Sequence, residues 1–494
     1  MPVNFLSLSL SLSLSLSLSV SAQLSVQEVG FYGDASSSSA YGKISVKRDL
    51  GATYNVPEYK KSRAIQYPVA FVSGKKPLIK ATILADEECN ARGESIWVKA
   101  KFAAKFTTHI EFEAVKGIVD NTTGQFLYEN SGEAVFSNLP FTEDKVVGLE
   151  SATIMWYYQI VSQENGNEST PVEDLWSNFE DTATPLYVTY DSPETLPADA
   201  GGGRVYYHTL LARSCIPAHG RDNPSSIERG VWKYIKKLKT TRADDDAELY
   251  YYLSIGCGNT TTTDLITTTD GQCGSWAHFY IDLMRSVGVY EDLCDQDNYL
   301  IMGGKVNDET SRPAVGFLVD NYKINEGFQY NNLDANYKYT LIIQQNENET
   351  PNEFIDRIII SGDYEILPSG VEKLNGVKGQ NNPNPKSIFA NHQIAIANQK
   401  PRDPSYGVTY SFNTNDYTTI FNSFNNTAVF GYFTVERVRI DEESLGYDVN
   451  GNDSLEASVD VLLLLVSREF AEFELRTDPY PTTGGGTTPY VKKY

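Results

Sequence analysis

Short runs in which apolar and polar residues take turns dominate the first part of the chain. Ile96-Trp97-Val98-Lys99-Ala100-Lys101-Phe102 and Ile110-Glu111-Phe112-Glu113-Ala114 alternate, and 134–136, 153–158 and 186–190 repeat the pattern. A period of two sets one strand face against a core and the other in water. Such strands at regular spacing predict an antiparallel, immunoglobulin-like β-sandwich over residues 68–190. Upstream, residues 23–67 are rich in Ser, Gly and Lys and read as a leader or loosely ordered segment. At 191–203 a Pro- and Ala-bearing run ending in Gly201-Gly202-Gly203 stops the alternation and predicts a linker.

Beyond the linker the period lengthens. Val231, Trp232, Ile235 and Leu238 form an apolar stripe at helical spacing, behind a cap-like Ser225-Ser226-Ile227-Glu228. That periodicity assigns Trp232 to the core. Residues 250–253 and Leu265-Ile266 lead into a further helix, in which Trp276, Tyr280, Met284 and Val287 recur and Gly288 supplies the stop. His392, Ile394 and Ile396 then alternate as a strand, and strands return after about Tyr417, among them 428–433 and 435–440. The order predicts an α+β fold, helices first and an antiparallel sheet after them, over residues 204–420. Residues 421–476 read as a β-rich segment and 477–494, with Gly484-Gly485-Gly486, as a disordered tail. The apolar run 459–466, interrupted by Asp460, is too short to span a membrane and reads as a buried element, and no other stretch is long enough.

The amino terminus differs from the rest. Residues 5–20 form an uncharged Leu-Ser repeat, and Ser19-Val20-Ser21-Ala22 sets small residues before Gln23. A signal peptide over 1–22, and so a secreted or extracytoplasmic protein, is the expectation; a low-complexity extension is the alternative.

Candidate chemistry lies in Gly271-Gln272-Cys273-Gly274-Ser275-Trp276-Ala277. A cysteine stands there on a glycine-flanked turn at a helix start, where unpaired N–H groups and the helix dipole favour a thiolate. A thiol nucleophile needs a base, and His392 is the candidate. After the polar turn Asn398-Gln399-Lys400-Pro401 comes Asp403-Pro404-Ser405-Tyr406-Gly407. Folding this segment as a hairpin brings Asp403 opposite or diagonal to His392. A carboxylate holding an imidazole, and an imidazole taking the thiol proton, are the parts of nucleophilic acyl transfer. The backbone N–H of Cys273 is one oxyanion donor by position. His278 lies about 140° around the helix from Cys273 and is expected to face away. His109, His208 and His219 have no partner pattern and read as structural or surface residues.

These parts resemble the transglutaminase-like superfamily. The resemblance rests on the G-Q-C turn opening a helix that ends in Val287-Gly288-Val289, the strand bearing the histidine, and the aspartate in D-P-S-Y-G. It covers roughly residues 204–420 and implies a papain-like fold. It further implies Cys273 as nucleophile, His392 as general base and acid, and Asp403 as orienting carboxylate. The implied reaction takes an amide, such as a glutamine side chain, through a thioester to an amine or to water. Gly274 stands where animal transglutaminases carry an aromatic, and the His-to-Asp interval is shorter than theirs. The superfamily also holds peptidases, amidases and glycan-releasing enzymes, so a cysteine peptidase or amidase is the neighbouring alternative. A non-catalytic secreted binding or scaffold protein is the alternative from another class.

Charge narrows the partners. With 41 basic and 64 acidic residues the net charge is -23, a field that repels phosphate backbones and excludes nucleic acid. A protein or peptide substrate is expected. The 5 cysteines are an odd number, which suggests one free thiol, Cys273, and at least one disulfide among Cys215, Cys257 and Cys294. No cofactor is expected. Asp448-Val449-Asn450-Gly451-Asn452-Asp453-Ser454 spaces oxygen side chains as calcium loops do, but lacks the glycine and the bidentate acid those loops need. It reads as an Asx-rich turn, with calcium as the alternative.

Overall fold

The computed structural model describes residues 24–32, 43–75, 78–103, 112–128, 134–137, 145–161, 163–164, 167–168, 170–193, 205–253, 261–289, 377–385, 388–389, 391–410 and 417–440, with strand segments 296–302, 315–319, 322–324, 339–343, 371–373, 459–467 and 490–493. The leader 1–22, His109, Cys257, Cys294, the 448–454 loop and most of the 191–203 linker lie outside the described residues.

The protein has mixed helix and strand content. Its first part holds β1 (Leu24–Tyr32), β2 (Lys43–Lys47), β3 (Tyr59–Lys60), β4 (Val69–Val72), β5 (Leu78–Ala85), β6 (Ser95–Phe102) and β7 (Val115–Val119). β8 (Phe126–Tyr128), β9 (Ala134–Ser137), β10 (Val147–Ile160), a short hairpin of β11 (Gln163–Glu164) and β12 (Asn167–Glu168), β13 (Ser177–Thr189) and β14 (Val205–Tyr207) follow. They form a 4-stranded sheet, β3-β1-β5-β9, and an 8-stranded sheet, β14-β2-β4-β13-β10-β6-β7-β8.

Strand alternation gives the larger sheet two buried faces. Val69 and Phe71 of β4, with Leu186 and Val188 of β13, join Val26, Phe31, Ile79 and Ile83 of the smaller sheet in one core. Their neighbours Ala70, Val72 and Tyr187 point the other way, into a second core shared with the helices. Within the expected leader 23–67, residues 24–32 and 43–67 instead carry ordered strands and turns. β1 pairs with β5 along its length and buries Val26, Val29 and Phe31. A register shift between Val26 and Glu28 puts Val26 and Val29 on the same side. That bulge breaks the period of two and hides the strand from pattern reading.

The second core is built on α1 (His208–Cys215), α2 (Pro224–Ile235), β15 (Tyr250–Tyr251), α3 (Thr262–Thr268), β16 (Asp270–Gly271) and α4 (Cys273–Ser286). Trp276, Tyr280, Met284 and Val287 are all buried, as their spacing predicts. Gly288 ends this stretch at φ 81°, a left-handed conformation that suits glycine. The cap of α2 lies earlier than Ser225: the Asn223 side chain accepts from Ser226 N, and Pro224 opens the helix. Glu228 is left free for another role.

Past α4 come β17 (Gln296–Met302), β18 (Val315–Val319), β19 (Tyr322–Ile324), β20 (Tyr339–Ile343), β21 (Val371–Lys373), β22 (Ile388–Phe389), β23 (Asn391–Ala397), β24 (Lys400–Asp403) and β25 (Val408–Thr409). The described chain closes with α5 (Tyr417–Ala428), β26 (Val429–Ile440), β27 (Val459–Ser467) and β28 (Tyr490–Lys493). The sheet β25-β24-β23-β17-β28 lies against α4 through β23, and a second sheet runs β20-β27-β26-β18-β22. Two expected boundaries shift. The segment from 421 begins inside helix α5, whose Phe424 belongs to the same core as α4. Within the expected disordered tail, Tyr490 to Lys493 pair with β17, whose edge accepts the strand-forming Tyr and Val. Among the described residues no helix is long and apolar enough to cross a membrane.

Candidate active site

Cys273 takes its place from the turn that precedes it. β16 runs parallel to β15 with Tyr251 opposite Gly271, and Trp276 Nε1 donates to the Tyr250 carbonyl at 3.2 Å. Gln272 is extended, at φ -81° and ψ 178°, so the helix starts at Cys273 itself. The thiol sits at the positive end of a 14-residue helix, buried and free.

The hairpin carrying the other two candidates turns more tightly than its polar run suggests. Asn398 and Gln399 both have positive φ, 51° and 57°, as a two-residue hairpin turn requires. Lys400 and Pro401 already pair with Ala397 and Ile396, so they belong to the strand. With Ala395 opposite Arg402, Asp403 falls diagonal to His392 on one face. The contact is direct: His392 Nε2 lies 2.7 Å from Asp403 Oδ2. The carboxylate accepts, so Nε2 carries the proton and Nδ1 is the nitrogen left for a second partner.

Asp403 is itself held from several sides. Tyr410 Oη donates to Oδ2 at 2.6 Å, while the backbone N–H groups of Ser405 and Tyr406 donate to Oδ1 at 3.1 and 3.3 Å. This is the geometry of an Asx turn, which explains the aspartate at the head of D-P-S-Y-G. Phe424 stacks on the imidazole at 5.2 Å, and Tyr406 covers it at 5.3 Å. His392 and Asp403 are both 0 % exposed. Burial alone would disfavour the imidazolium. The Asp403 charge and hydrogen bond, with hydrogen bonding and charge from Cys273, outweigh it and raise the His392 pKa to about 10. Cys273, His392 and Asp403 thus meet in one buried cluster.

The other histidines and cysteines sort differently. His278 is half-buried beside Gln393, 3.4 Å away. His219 Nδ1 accepts from Gly148 N, and burial lowers its pKa. His208 does have partners, Asp244 at 2.7 Å and the Tyr187 hydroxyl at 3.0 Å. Asp49, His208 and Asp244 bring ligand-type atoms within 4.8 Å of one another. Thr209, Tyr54 and backbone N–H groups already occupy both carboxylates, so the cluster reads as a structural junction. Cys215 is a free, buried thiol whose pKa burial raises to about 12. The expected disulfide therefore cannot use it, and Cys257 and Cys294 fall outside the described residues.

Several contributors carry no mark in the sequence pattern: Phe424, Tyr410, the Arg402–Glu228 pair and the loop from Gly379 to Asn382. Only the Gly-Gln-Asn-Asn-Pro composition of that loop signals a turn. No protein-family model matches the chain, and no curated protein matches it.

Proposed function

We propose that this chain is an exported cysteine acyl-transfer enzyme of the transglutaminase-like type, acting on amide bonds of a protein or peptide. The observation that carries the reading is the buried His392–Asp403 pair, bonded at 2.7 Å, with Cys273 at a helix start acting on the same imidazole. In the proposed reaction the thiol proton passes to His392 and the sulfur attacks the amide carbonyl carbon. The C=O π pair moves to oxygen, and collapse expels the amine, which takes the proton from His392. The thioester then passes its acyl group to an amine, or to water activated by the now neutral imidazole. Asp403 keeps Nε2 protonated and the ring oriented throughout.

The packing of α4 against β23 supports a papain-like reading of this half, and two sheets sharing one core support a sandwich in front of it. The test is incubation with a glutamine-bearing peptide and a labelled amine, with water-only and peptide-cleavage controls. Amine incorporation or ammonia release is expected, and Cys273→Ser should abolish it while circular dichroism stays unchanged. Turnover retained by Cys273→Ser would remove the nucleophile assignment and leave a binding module as the better reading.

A further inference from the structure

The mechanism leaves the developing oxyanion with one positional donor, the Cys273 N–H. Two tyrosine side chains meet close enough to the Cys273 thiol for its charge to act on both. Tyr251 stands opposite Gly271 in the β15–β16 pair, two positions before the nucleophile. Tyr406 follows Asp403 in the same turn, with its ring 5.3 Å from His392. The two tyrosine rings meet edge-on at 5.2 Å, and their hydroxyls lie 3.5 Å apart. That separation is long for an O–H···O bond, and an oxygen set beside the pair can take a better bond from each.

Both side chains are buried, and one loop bonds the backbone of Tyr251 and of the two residues before Tyr406. Tyr251 N donates to Gln380 O at 3.0 Å, and Asn382 Nδ2 donates to Tyr251 O at 2.8 Å. From the same loop, Gln380 N donates to Ser405 O at 3.0 Å and Gln380 Nε2 to Pro404 O at 2.8 Å. Gly379 lies so close to Tyr251 that a Cβ would come within 2.5 Å of its ring. The clasp thus ties together two tyrosines that are far apart in sequence, with little room to move.

We propose that the Tyr251 and Tyr406 hydroxyls, held by the 379–382 loop, complete the oxyanion site and donate to the substrate carbonyl oxygen during attack by Cys273. The inference rests on reading Cys273 as the acyl-transfer nucleophile. As the C–S bond forms, the carbonyl π pair becomes an alkoxide, and the two O–H groups bond to it without giving up their protons. Burial first, then the charges of neighbouring groups including Cys273, holds both phenols well above their ordinary pKa. They therefore stay donors wherever the enzyme works. Fixed donors of this kind act most strongly in a site closed to water.

The experiment compares two reactions of the same sulfur. Acylation by an activated aryl ester passes through an oxyanion; alkylation by iodoacetamide displaces iodide and does not. Tyr251→Phe and Tyr406→Phe should each slow acylation roughly a hundredfold in kcat with little change in KM, while the rate and pH profile of Cys273 alkylation stay as in wild type. Phe keeps both rings, thermal unfolding reports the fold, and either variant alone suffices should the other not fold. Unchanged acylation, or equal losses in acylation and alkylation, would overturn the proposal. Failure of the nucleophile reading looks different: Cys273→Ser would then acylate as wild type does.

Discussion

At the residue scale, the His392–Asp403 bond links function to stability. The native imidazole titrates at about 10, against an ordinary 6.5. Because the folded value is the higher one, protonation favours the folded state. The stabilisation is complete below about pH 6.5 and is lost as pH rises through about 10. Urea unfolding followed across that window should show stability falling with pH, and His392→Gln should flatten the fall. An equal slope in the variant would mean that other groups carry it. The proposed chemistry shares this limit, since leaving-group protonation needs the imidazolium, so acylation should fade near the same alkaline pH.

Elements are held in register by a second buried pair, one residue from Asp403. Arg402 reaches Glu228 of α2 with Nε at 3.0 Å and an Nη at 2.8 Å, and Tyr280 of α4 donates to the same carboxylate oxygen at 2.8 Å. The guanidinium also lies over the Trp232 ring at 4.8 Å. Three elements therefore meet at Glu228: the strand of Asp403, the helix of Cys273, and α2. Among the described residues Glu228 Oε2 has no hydrogen-bond partner, so removing Arg402 would leave a buried charge poorly compensated. Arg402→Ala is expected to cost about 3–5 kcal/mol. Pairing it with Glu228→Gln should recover part of that loss, as a double-mutant cycle of urea unfolding would read. A cost near zero for the single variant would contradict the clamp.

Across the whole molecule, the large sheet and the helical half share a packed core, and a polar cluster around Asp49 also ties them. Asp49, just after β2, accepts from Thr209 N and Oγ1 at 3.0 and 2.8 Å, and its own N–H donates to Asp244 at 2.7 Å. Burial opposes the Asp244 charge, but bonds from His208, Tyr54 and the Asp49 N–H prevail and hold its pKa below the ordinary 3.8. A lowered carboxylate stabilises the fold above its unfolded value, and that contribution is lost as pH falls through the folded one. Asp244→Asn should lower stability by on the order of 1–3 kcal/mol near neutrality. The difference from wild type should vanish in acid; urea unfolding at both pH values checks it, and a persistent difference would argue against the charge.

Much of the candidate site follows from short-range signals in the chain. The helix opening at Cys273, the alternation of His392, Ile394 and Ile396, and the hairpin turn are set by residue period and turn chemistry within a few positions. Local signals do not suffice at β1, where a bulge changes the period, or at α5, a helix that overlaps the start of the expected β-rich segment. Other relations belong to tertiary structure alone: Glu228 with Arg402, Phe424 on His392, Tyr251 beside Tyr406, and Asp49 with Asp244. Each joins residues from distant parts of the chain and leaves no periodic trace. Their partners are chosen by which faces meet and which polar groups are buried together, because a group removed from water must bond to whatever the fold brings near it.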